Sequence, residues 1–109
     1  MTAKLFLLQR ASAAVLALAV AVHLATVVYA VRGGLTAGEI LVRTEGNVAY
    51  LAFYTVFVAA VAVHAPIGLR NVLREWGGWQ GRACDAALAV FALALFALGV
   101  RAVLALYLT

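Results

Sequence analysis

Three ionisable side chains interrupt otherwise apolar runs: His23, His64 and Arg101. The histidines are the only two in the sequence. Imidazole is the side chain whose unperturbed charge change falls near neutral pH. Its nitrogen also suits iron, so axial ligation of haem is one use for each histidine. The other use is a neutral histidine hydrogen-bonded to a neighbouring helix. Around the second histidine the chain reads His64-Ala65-Pro66-Ile67-Gly68-Leu69-Arg70-Asn71. On a helix Gly68 lies one turn from His64 on the same face, where a flat ring could approach the backbone. Pro66 removes a backbone donor, frees the carbonyl of Ala62 and favours a kink. Arg70 is placed to reach water while gripping a carboxylate, or to serve as an ordinary basic anchor. Arg101 either reaches outer headgroups or pairs with a carboxylate such as a haem propionate. Tyr29, Tyr50 and Tyr54 are candidate donors to propionate or quinone oxygens, with interfacial anchoring or helix packing as the alternative.

The elements that must carry these residues follow from composition. Of 109 residues, 68% are hydrophobic and 11% charged, against about 45–50% and about 25% in soluble domains. A chain this short lacks the volume to hide so much apolar surface. That excludes a soluble enzyme domain, and disorder is excluded because it needs low hydrophobicity. The net charge of +4 is too sparse for a nucleic-acid stripe. The single cysteine, Cys84, rules out an internal disulfide and reads as a reduced thiol.

Charges mark the segment ends. None falls between Arg10 and Arg32 or between Glu45 and Arg70, and after Asp85 only Arg101 interrupts. A spanning helix needs about 20 apolar residues. Spans are expected over 11–31, 47–69 and 86–108, within a single all-α membrane-anchor domain covering 1–109. In lipid each must be helical, because only a helix satisfies its own backbone. The stretch from Lys4 to Ala21 also has the look of a signal peptide, but its apolar run continues to Val31, the length of a span. The linkers, 32–46 and 70–85, are short.

Lys4, Arg10, Arg70, Arg74 and Arg82 gather on the N-terminal side, against Arg32, Arg43 and Arg101 on the other. By the positive-inside rule the N-terminus is expected in the cytoplasm. Trp76 and Trp79 then suit the inner interface, and Tyr29, Tyr50 and Tyr107 the outer one. If Arg10 and Arg70 mark one surface, helical rise puts His23 and His64 roughly 10 Å apart in depth. Two histidines so separated do not grip one haem. Each needs an opposite ligand from another chain, and two haems would stack across the membrane.

His64-x-x-x-Gly68-x-Arg70, followed by Glu75-Trp76-Gly77, resembles the second-helix motif of the cytochrome b membrane-anchor subunits of succinate dehydrogenase and fumarate reductase. Gln9-Arg10-Ala11-Ser12-Ala13 is similar to the family's Arg-x-Ser-Gly opening, with Ala13 where glycine is usual. The resemblance implies that His64 is an axial ligand of haem b and that Arg70 meets a propionate or the quinone. It further implies that Arg10 and Ser12 line a ubiquinone or menaquinone site. A histidine at the place of His23 looks like the two-haem branch, in which the first-helix histidine ligates the distal haem. The implied partners are a second membrane-anchor subunit, an iron–sulfur subunit and a flavoprotein, in a bacterial-type cytoplasmic membrane.

Two other functions compete. A haem-free structural anchor would use the histidines only for packing. A small transporter subunit would need an acid within a span, whereas Glu39, Glu45, Glu75 and Asp85 all fall in linkers or at span ends. Nothing in the chain offers a flavin or dicarboxylate site, so succinate chemistry would belong to the other subunits.

Overall fold

A computed structural model describes residues 2–108. The chain forms four helices: α1 (Ala3–Gly33), α2 (Ala37–Thr44), α3 (Val48–Trp76) and α4 (Arg82–Leu108). No strand occurs among the described residues. Helices α1, α3 and α4 are long and apolar enough to cross a membrane, so the chain is an all-α, multi-pass membrane protein. They form an elongated body of 47 × 23 × 22 Å.

The helices outrun the expected spans. Helix α1 begins at Ala3, ahead of the first span, and α3 continues past Arg70 to Trp76. A helix needs no apolar face once it leaves lipid, so Lys4, Arg10, Arg70 and Arg74 extend the rods beyond the apolar stretch. Chain chemistry sets the true ends. Gly34, with φ 112°, terminates α1, and Gly78 and Gly81, both at positive φ, turn the chain between α3 and α4. Glycine adopts that region without a Cβ penalty. Thr2, Thr36 and Asn47 cap the N-termini of α1, α2 and α3 through their side-chain oxygens.

The first linker, expected as a plain connection, contains helix α2. Its signal is a capping box, Thr36-x-x-Glu39, ahead of Ile40-Leu41-Val42. Pro66 is buried inside α3, and the helix continues through it to Trp76.

Helix α3 is central. Both α1 and α4 pack against it, and they make little contact with each other. The contact surfaces are built from small residues, including Ala19, Ala60, Ala62 and the fully buried Cys84. Small side chains let backbones approach where no hydrophobic force drives helices together in lipid. The closest approach is at Gly99 on α4, where a Cβ would stand 2.5 Å from Val58 Cγ1. Large residues such as Leu18, Leu93 and Leu98 point outward, as expected of surfaces that face lipid.

Candidate functional site

Two polar layers join α1 to α3, and each holds one histidine. The first lies toward the N-terminal end of α1. Ser12 is the buried polar residue of that helix, and its Oγ stands 3.4 Å from His64 Nδ1 on α3. The serine hydroxyl donates to the backbone carbonyl of Gln9, 3.1 Å away. Its one proton is thereby used, so Oγ faces His64 as an acceptor. Nδ1 must then carry the imidazole proton, which leaves the Nε2 lone pair free.

The second layer obeys the same arithmetic through one more link. Thr26 donates its hydroxyl proton to the carbonyl of His23, at 2.7 Å. Thr26 Oγ1 also lies 2.9 Å from the Tyr54 hydroxyl. With the threonine proton committed, Tyr54 donates in that contact. Its oxygen then accepts from His23 Nδ1, 2.9 Å away. His23 is therefore also protonated at Nδ1 and free at Nε2. Edge-on contacts with Tyr54 and Phe57 fix the plane of the His23 ring.

These pairs give the register of α1 against α3. Ser12 lies level with His64, and His23 level with Tyr54. The distance between the layers is about 16 Å along α1 and about 15 Å along α3 at helical rise. This exceeds the expected 10 Å because Arg10 and Arg70 do not share a plane. Arg70 is about 9 Å beyond His64 along α3, whereas Arg10 is only about 3 Å beyond Ser12 along α1. The two histidines are thus separate sites.

The remaining candidates divide. Arg70, on the same helix as His64, donates from Nε to Asp85 Oδ1 at 2.9 Å and links α3 to the start of α4. Its Nη1 and the nearby helix-α1 acceptor Gln9 Oε1 are buried without a hydrogen-bond partner among the described residues. Gln9 also fills the space over Gly68: a Cβ there would stand 3.3 Å from Gln9 Nε2. Gly68 therefore admits an α1 side chain, not a ring lying on the backbone. Arg10 is exposed and lies over the Phe6 ring, 5.7 Å from its centre, apart from Ser12 and His64. Arg101 is exposed on α4 and does not join the His23 layer. Sequence reasoning missed Thr26, whose spacing three residues after His23 is the signal for a hydroxyl returning to the helix backbone.

Beside the second layer a cleft of about 1120 Å³ opens between α1 and α4, with α3 as its floor and α2 at its end. His23, Thr26, Tyr54, Phe57 and Gly99 line it. The opening follows from the packing, since α1 and α4 each lean on α3 but scarcely meet.

Among the described residues no three of His, Cys, Asp or Glu converge as metal ligands. Each layer offers one imidazole nitrogen. A single protein ligand suits a metal whose other positions are filled by a macrocycle, and haem iron held by axial histidine is such a case. The donor set fits that group: two free Nε2 atoms, each oriented through Nδ1. Metal-binding histidines are oriented in this way by a second hydrogen bond.

Fold and site together define a multi-pass helical membrane protein with one oriented imidazole in each of two polar layers. No family model, curated protein or solved structure matches the chain.

Proposed function

We propose that this chain is a haem b-binding membrane-anchor subunit of a succinate dehydrogenase or fumarate reductase. It would dock the iron–sulfur and flavoprotein subunits and pass electrons to or from ubiquinone or menaquinone. The observation that carries this reading is the pair of histidines whose Nδ1 atoms meet the Ser12 and Tyr54 hydroxyls across α1 and α3, while neither Nε2 has a hydrogen-bond partner among the described residues. The motif around His64 adds the family, and the bundle supplies a rigid mount.

In this reading His64 holds one haem and His23 a second, each completed by a ligand from a partner anchor subunit. The haem supplies one-electron chemistry, and the protein positions and tunes it. Ser12 and Tyr54 hold the imidazole planes and keep the proton on Nδ1. The unpaired Arg70 Nη1 is a donor for a propionate or a quinone carbonyl. Gln9 Oε1 is an acceptor for a quinol hydroxyl. By the positive-inside rule, the basic residues near the N-terminus of α1 and the ends joining α3 to α4 support a cytoplasmic position for that side in a bacterial-type membrane, where the soluble subunits would dock.

The test is a reduced-minus-oxidised absorption spectrum of the complex purified through this chain. A b-type spectrum that depends on His64 supports the reading, and its absence overturns it. One alternative has an observation in its favour. The same hydrogen bonds tie α1 to α3 with no ligand, as a haem-free structural anchor requires. That anchor would give no haem bands and would lose helix packing, not colour, when Ser12 or Tyr54 is replaced.

A further inference from the structure

We propose that the cleft beside His23 seats a planar, largely apolar macrocycle bearing carboxylates, with His23 Nε2 as ligating atom and Arg43 as the cation that meets the carboxylates. This rests on the haem-anchor reading and adds the seat and the polar pole of the second group. The cleft is about 1120 Å³, just above the roughly 300–1,000 Å³ that holds drug-sized ligands. Its lining is mainly apolar, and α3 contributes four aromatic rings, Tyr50, Phe53, Tyr54 and Phe57, of which Tyr54 and Phe57 lie nearly parallel. Gly99 keeps the α4 wall close to α3 there.

Arg43 on α2 lines the same cleft at its end. Its guanidinium is partly buried, donates from Nη2 to the Gly34 carbonyl at 2.6 Å, and lies 5.9 Å from the centre of the Tyr29 ring. The other guanidinium N–H groups remain for a carboxylate. Glu39 interacts with the same arginine but is committed to Thr36 through its carboxylate. The chain thus places an imidazole and a guanidinium in the lining of one cleft. Arg101, which the sequence offered for this role, is outside the lining. His64 lies about 15 Å from the His23 layer, the helical rise from Tyr54 to His64 along α3, so a second protein ligand for this group would come from another chain.

The experiment is potentiometric titration of the purified complex with wild-type chain and with Arg43→Gln, Arg43→Lys, Arg101→Gln and His23→Ala. The haem lost in His23→Ala is the one to follow, and the His64-dependent haem is the internal control for folding. Removing a nearby cation destabilises the reduced, less positive iron. Arg43→Gln should therefore lower the midpoint potential of the His23-dependent haem, Arg43→Lys should restore most of it, and Arg101→Gln should leave it in place. An unmoved potential in Arg43→Gln, or a shift only in Arg101→Gln, overturns the assignment of Arg43. A full haem complement in His23→Ala overturns the cleft as the seat and leaves the His64 reading standing. No haem in the wild-type complex overturns the anchor reading itself.

Discussion

His23 on α1 and Tyr54 on α3 meet at 2.9 Å, Nδ1 to hydroxyl, and Thr26 determines which way the proton points. Thr26 has spent its own proton on the His23 carbonyl, so Tyr54 must donate to Thr26 and accept from the imidazole. Thr26→Val removes that acceptor and lets the Tyr54 hydroxyl turn onto Nδ1. The imidazole proton then moves to Nε2. Side-chain ¹⁵N shifts of the full chain in detergent should report Nδ1–H for both histidines in the wild type and an Nε2–H signal at His23 in Thr26→Val. An Nε2–H form at both histidines in the wild type contradicts the proton assignment.

Ser12 plays the equivalent part for His64. Ser12→Ala removes the acceptor for Nδ1–H while leaving the ligating nitrogen in place. Loss of a hydrogen bond that orients a metal-binding histidine costs about 10–100-fold in affinity. Haem retention during dilution should fall by that order for the His64-dependent haem alone, with Ser12→Thr behaving closer to wild type. Equal loss of both haems would point to general unfolding instead.

The α3–α4 contact depends on the missing side chain at Gly99. An added Cβ would lie 2.5 Å from Val58 Cγ1 and 2.9 Å from its Cγ2. Valine is stiff at χ1 and cannot swing both methyls aside. Gly99→Ala should destabilise the bundle by about 1–3 kcal/mol, the usual cost of overpacking. Unfolding in mixed micelles checks this, and Val58→Ala should restore stability in the Gly99→Ala background.

The N-terminus of α2 carries a pH dependence. The Thr36 side chain and backbone, and then Arg43, hold the Glu39 carboxyl below its ordinary pKa of 4.5. A depressed folded pKa means a contribution fully present above 4.5 and lost as pH falls through the lower folded value. Amide exchange over α2 should therefore rise on acidification below 4.5, and Glu39→Gln should flatten that response.

The spans were legible because lipid imposes one rule: charges leave and the backbone closes on itself as helix. The charge gaps before Arg32 and Arg70 mark that rule directly. The helix ends were not legible the same way, because Ala3–Arg10 and Arg70–Trp76 are helical without needing to be apolar. Helix α2 is not legible as periodicity because Ala37, Ile40, Leu41 and Val42 are too few apolar residues, although its capping box is present in Thr36 and Glu39. His23, His64 and Ser12 stood out as polar residues or by motif. Their pairing did not, since Ser12–His64 and His23–Tyr54 depend on the register of α1 on α3, which no local pattern states. Gly68 shows the limit of motif reasoning: its open face is occupied by Gln9.

In the proposed function His23 and His64 each hold a separate haem. Counting haem per complex by the pyridine haemochromogen spectrum tests it most directly, in the wild type, His23→Ala and His64→Ala. Two haems are expected in the wild type and one in each variant, with the residual haem differing between them. A complex without haem contradicts it, as does a single haem lost in both variants alike.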